Sequence, residues 1–276
     1  MRDVIKKNFI ILQIFLFILF LSNCTSINKN DNTLQLSDNE IYSKGLTFIE
    51  KGNFKKAILE FDEVFLNYPF SSLASKSEIM SAYSLFQNNE LNKSIIKLKN
   101  FIEMNPKGEM TEYAHYLLAM CYYVQVSNEG RDPNLSIKAL NSFKLINSKY
   151  PNSKYAKDSR LKIQFLNNSL AKNELNVGKF YLKRGAPASS IHRFKFILQN
   201  YHNTSVVPET LYRLSEALLM IGLQDEAIKS SAILDYNFPK NNWTKLSKKL
   251  FKKKSELYQN EDEKLPIINY LREFFE

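Results

Sequence analysis

The chain has 276 residues, 44% of them apolar, and a formal net charge of +10. That apolar content excludes a disordered chain and supplies one or two domains with a core of their own. Seven glycines, eight prolines and two cysteines exclude a turn-rich sandwich and a disulfide framework, which leaves helix packing as the source of stability.

The first element is an apolar run. Arg2, Lys6 and Lys7 precede FIILQIFLFILFL, Phe9 to Leu21, broken only by Gln13. As a helix it would reach roughly 20 Å against about 30 Å of hydrocarbon, too short for an ordinary span. A basic start, a short apolar run and then polar residues read as a signal peptide over residues 1–23, the alternative being a short membrane anchor that is retained. Leu21-Ser22-Asn23-Cys24 resembles a bacterial lipobox, with Asn23 where Gly, Ala or Ser is usual. That resemblance implies a lipid on Cys24 and no other cofactor. Thr25 in place of Asp implies export to the outer membrane. Three acyl chains would hold such a protein firmly, since each buried methylene contributes about 0.8 kcal/mol. Cys121 is then left without a partner and reads as a small buried hydrophobe.

After a linker over 24–37 the chain repeats itself. Gly45, Phe48, Gly52, Phe54, Ala57, Phe61 and Pro69 set a frame that resembles the tetratricopeptide repeat. Gly45 and Ala57 mark a close helix approach, Gly52-Asn53 the turn, and Pro69 the stop. The frame recurs at Ala82, Ser94 and Pro106, at Ala119, Ala139 and Pro151, at Gly178, Gly185, Ser190 and Phe194, and at Ser215, Gly222, Ala227 and Pro239.

Two irregularities stand out. Extra residues within VQVSNEGRDPNLS put a long loop between the helices of the third pair. Between Pro151 and Gly185 there is no breaker but Gly178, which predicts one helix of about thirty residues joining pairs three and four. The expected fold is all-α: a right-handed solenoid of about five helix pairs in two lobes joined by a long shared helix. The divisions are 38–152 for the first lobe, 153–245 for the long helix and second lobe, and 246–276 for a basic extension.

With the lipobox, these repeats, Arg131-Asp132-Pro133 in the long loop, YPNSKYAKDSRLKIQFLNNSLAKNEL and YLKRGAPASSIHRFKFILQNYHNT, the chain is similar to the BamD family of outer-membrane β-barrel assembly lipoproteins. The resemblance spans about residues 20 to 245. It implies a scaffold on the periplasmic face of the outer membrane, with unfolded outer-membrane proteins, a BamA-like barrel insertase and accessory lipoproteins as partners. In that family the N-terminal repeats receive the C-terminal targeting strand of an unfolded barrel protein, and the C-terminal repeats hold the insertase. Arg193 in IHRFKF matches an arginine of the partner-contact region; the alternative is an exposed solubilising arginine. The competing reading of the whole chain is another periplasmic repeat lipoprotein that coordinates peptidoglycan or division machinery.

The residues themselves favour binding over catalysis. His115, His192 and His202 are not spaced as metal ligands, and phosphate loops and nucleophile elbows are missing, so no catalytic or metal site is expected. Positions 2, 5, 9 and 12 of each first helix share one side. They present Tyr42, Leu46 and Ile49, then Ile79, Tyr83 and Phe86, then Tyr113 and Tyr116, an aromatic groove unless these rings belong to the core. The fourth and fifth pairs present Lys172, Leu175, Lys179, Leu182, Glu209, Tyr212, Glu216 and Leu219, a surface of mixed charge. The lysines after Pro239 read as a solvated helix face or as an attraction to anionic lipid or an acidic partner. Export rules out nucleic acid. The final PIINYLREFFE is amphipathic and reads as a cap on the last repeat or as a partner contact.

Overall fold

Ser37 opens the first helix with a capping box. Its hydroxyl accepts from the Glu40 backbone N–H at 3.3 Å, and the Glu40 carboxylate accepts from the Ser37 N–H at 2.8 Å. The structure, a computed structural model, describes residues 36–126 and 133–251. The predicted signal peptide, Cys24, most of the linker, Arg131-Asp132 of the long loop and the tail from 252 lie outside the described residues.

The helices are α1 (Asp38–Glu50), α2 (Phe54–Asn67), α3 (Ala74–Gln87), α4 (Leu91–Met104), α5 (Thr111–Tyr123), α6 (Pro133–Lys149), α7 (Lys154–Lys183), α8 (Pro187–Asn200), α9 (Val207–Met220), α10 (Gln224–Asn237) and α11 (Asn242–Leu250). No strand occurs among the described residues. Consecutive helices pack on one another throughout, which makes an all-α tetratricopeptide solenoid. The same turn closes four of the five pairs. Gly52, Gly185 and Gly222 have φ of 68°, 73° and 80°, and Asn89 supplies 61° at the matching place in the second pair. Only glycine, and less readily asparagine, adopts that left-handed conformation at low cost. The third pair has the long loop there instead.

Close approach within a pair also has one recurring device. A Cβ on Gly45 would lie 2.7 Å from Phe61 Cε1, and one on Gly178 would lie 2.4 Å from Phe194 Cε1. Each glycine is a notch into which a fully buried phenylalanine of the next helix fits. Ala57, Ser94, Ala139, Ser190 and Ala227 are all completely buried at the facing position. Where serine replaces alanine its hydroxyl finds a backbone acceptor: Ser94 donates to the Ala82 carbonyl at 2.8 Å. Buried polar groups need such partners.

The thirty-residue α7 is the rod that the missing breakers predicted. Ser153 caps it by accepting from the N–H groups of Tyr155 and Ala156. Its first half, through Leu166 and Leu170, shares a core with Tyr122, Phe143 and Ile146. Its second half, through Ala171 and Leu175, shares one with Phe194, Leu211 and Leu214. Tyr201 packs against both cores and joins them. Cys121 is fully buried with its sulfur 3.4 Å from the Ser94 hydroxyl, and burial pushes its thiol pKa up. Helix α11 closes the solenoid, crossing position 246 where a separate basic extension was expected. Thr244, Ser247 and Phe251 are buried against the preceding helices, while Lys245, Lys248 and Lys249 face solvent. The lysine run there is one side of a packed helix.

Candidate functional site: two faces of one solenoid

Along α1, α3 and α5 the frame positions divide by side-chain length. Tyr42, Tyr83, Phe86, Tyr113 and Tyr116 are half-buried, Ile49 likewise, and Leu46 is 36% exposed. Ile79 does not belong to the groove. It is fully buried with Leu98, Phe101, Ala114 and Leu117. Its position points into the seam between neighbouring helices. A tyrosine there is long enough to bring its hydroxyl out to water, whereas isoleucine stops in the core. Leu175, at the same position of the fourth pair, is buried for the same reason.

The rings also meet a helix that frame spacing did not bring in. Tyr155 of α7 stacks on Tyr116 at 4.7 Å between centroids and lies 5.6 Å from Tyr113. Phe165 of α7 meets Tyr123 edge-on at 6.0 Å and stays 52% exposed, next to Leu161 at 63%. The aromatic face therefore continues onto the rod. The Tyr116 hydroxyl donates to Asp158 Oδ2 at 2.7 Å, and Lys162 pairs with the same carboxylate at 2.7 Å. Burial works to raise the Asp158 pKa, but the hydrogen bonds from Lys162 and Tyr116 outweigh it and hold it below the usual value. Burial foremost, with the Asp158 bond, pushes the Tyr116 hydroxyl well above the ordinary range, so it stays a neutral donor.

Near this face, the His115 ring packs 5.9 Å from Tyr150, and burial, aided by Lys149, lowers its pKa. Among the described residues no group of His, Cys, Asp or Glu is arranged to hold a metal ion, and no helix is long and apolar enough to cross a membrane.

The second face, on the C-terminal half of α7 and on α9, is charged. Lys179 pairs with Glu209 at 2.7 Å, and Arg213 pairs with Glu216 at 2.7 Å while its Nε approaches Glu209 at 3.6 Å. Arg213 also lies 5.3 Å from the centres of both Tyr212 and Trp243. Trp243 of α11 thus seals this network, a contact that frame spacing could not reveal because α11 stands outside the repeats. Arg193 of α8 reaches Glu174 of α7 at 3.0 Å and keeps 39% of its side chain exposed. It braces α8 on the rod and still offers donors outward.

These two faces span both halves of the chain, and so does the sequence similarity. The family described as Outer membrane lipoprotein (YfiO) matches residues 34–233. The chain belongs to that family. It is 36% identical over 242 residues to the Outer membrane protein assembly factor BamD of Rickettsia prowazekii, covering 88% of this chain and 94% of that protein. The protein of the same name from Caulobacter vibrioides is 37% identical over 203 residues, 74% of this chain and 67% of its own length. Among solved structures, the TPR2AB domain of yeast Sti1 in its pHSP90 complex has a TM-score of 0.45 at 11% identity, covering 78% of this chain and 84% of that one. That likeness is loose, and the repeat assignment rests on the helices themselves.

Proposed function

We propose that this chain is a non-enzymatic subunit of the outer-membrane β-barrel assembly complex, anchored through a lipid on Cys24 to the periplasmic face of the outer membrane. Tyr42, Leu46, Ile49, Tyr83, Phe86, Tyr113 and Tyr116 receive the aromatic-ended targeting strand of an unfolded outer-membrane protein. The C-terminal pairs, with Arg193 as a contact, hold the BamA-like insertase, and accessory lipoproteins complete the complex. The observation that carries this reading is family membership over 34–233, which includes both faces. The half-exposed aromatic face supports it, since rigid rings give contact area at little entropic cost. So does the ion-paired face, which suits a folded partner with fixed charges.

Affinity isolation from detergent-solubilised membranes tests the reading. A large barrel subunit with periplasmic repeats is expected to co-purify. Recovery of peptidoglycan enzymes alone would overturn it. Intact-mass measurement of the mature chain tests the anchor: acylated Cys24 is expected, and a free thiol there contradicts it.

A further inference from the structure

The charged face ends in a cleft of about 690 Å³ between α7, α9 and α11. Its floor is apolar, made by Leu182, Leu219, Met220 and Leu250, and Lys179 and Lys183 stand on its rim. Met220 is 55% exposed and Leu250 is 42% exposed. Leu246, one turn before Leu250 on α11, is 41% exposed and extends the apolar strip. Such a strip lacks a covering partner within the described helices.

The chain itself carries a segment of matching chemistry. We infer that residues 266–276, PIINYLREFFE, dock in this cleft as an intramolecular cover of the last repeat. Ile267, Leu271 and Phe274 fall at the i, i+4, i+7 spacing of one helical face, and Ile268 and Phe275 widen it. Pro266 follows Glu261, Asp262 and Glu263, the order of residues that favours a helix start. The charge of this acidic cluster is opposite to that of the rim lysines Lys179 and Lys183, and of the exposed Lys245 and Lys249 on α11. Reach is not limiting. The described chain stops at Phe251, next to the cleft-lining Leu250, and the 14 residues from 252 to 265 can extend roughly 46 Å. A short tether keeps the segment at high effective concentration beside the cleft.

The test uses the purified full mature chain without any partner protein, so its result is independent of the assembly role proposed above. Met220→p-benzoylphenylalanine places a photocrosslinker on the exposed part of the cleft's apolar lining. Irradiation followed by peptide mapping is expected to give a product within one chain joining position 220 to residues 266–276, with a yield unchanged on dilution. The variant Leu271→Asp with Phe274→Asp should lower that yield roughly tenfold, because two large apolar side chains lose their burial. The same crosslinker at Leu59, an exposed site on α2, should not capture the tail. Three results overturn the inference in a protein with wild-type circular dichroism: no tail product from position 220, a product between two chains whose yield falls on dilution, or an undiminished yield in the double variant.

Discussion

The two faces of this solenoid rest on one scaffold and differ in what it presents. Gly45 with Phe61 in the first pair and Gly178 with Phe194 in the fourth are the same notch and knob. The outward positions differ. Between α5 and α7 they carry Tyr113, Tyr116, Tyr123, Tyr155 and Phe165, with the Tyr116 hydroxyl bonded to the Asp158 carboxylate. Between α7 and α9 they carry Lys179, Glu209, Arg213 and Glu216 in one network. Framework and recognition are therefore separable in this fold: substitutions in the notch should act alike in both lobes, and substitutions on the faces should not.

The largest effect tests the shared scaffold. Phe61→Ala and Phe194→Ala each empty a fully buried site, and each should lose about 3–5 kcal/mol in chemical denaturation. Strongly unequal losses would break the equivalence of the lobes. Next comes Arg213→Ala, which removes an ion pair and the contacts with Tyr212 and Trp243. With 27% of its side chain exposed, a loss of about 1–2 kcal/mol is expected, shrinking in high salt. A salt-independent loss would mean that packing rather than charge dominates the second face.

On the aromatic face, Tyr116→Phe deletes one hydrogen bond, worth about 1 kcal/mol. It also changes the acid limb. The lowered Asp158 pKa gives stability that is present above the unfolded value of 3.8 and lost as pH falls through the folded one. The variant should lose less stability across that window, measured by thermal melts below pH 4. His115 acts at higher pH. Its lowered pKa means that the unfolded chain takes up a proton first, so stability drops as pH falls from 6.5 toward the folded value. His115→Phe should flatten the melting temperature between pH 7 and 5. The smallest effect is Arg193→Ala, about 0.5 kcal/mol or less for so exposed a pair. Any loss of partner binding in that variant then reports a contact and not unfolding.

Helix pairing was legible in the sequence because its determinants are local: small residues at Gly45, Ala57 and Gly178, left-handed turns at Gly52 and Gly185, and prolines after every second helix but that of the fourth pair, where His202 stands. The length of α7 was legible for the same reason. Membership of a face was harder to read, since it depends on neighbours far along the chain. Ile79 shares its frame position with Tyr42 and Tyr116, and only the packing of α4 and α5 around it decides that it is core. Tyr155 and Phe165 joined the aromatic face unannounced, because they come from the stretch of α7 that precedes the fourth repeat. Trp243 was missed for a like reason. Its indole reaches Tyr212 and Arg213 from outside the repeats, at 5.3 Å from each.

The central claim is that the N-terminal and the C-terminal helix pairs serve different partners. Photocrosslinkers placed in cells at Tyr83, on the aromatic face, and at Arg193, on the rod-braced α8, test it most directly. The account predicts unfolded outer-membrane proteins captured from position 83 and the barrel insertase captured from position 193. Capture of the same partner from both positions, or of the insertase from position 83 alone, would contradict it.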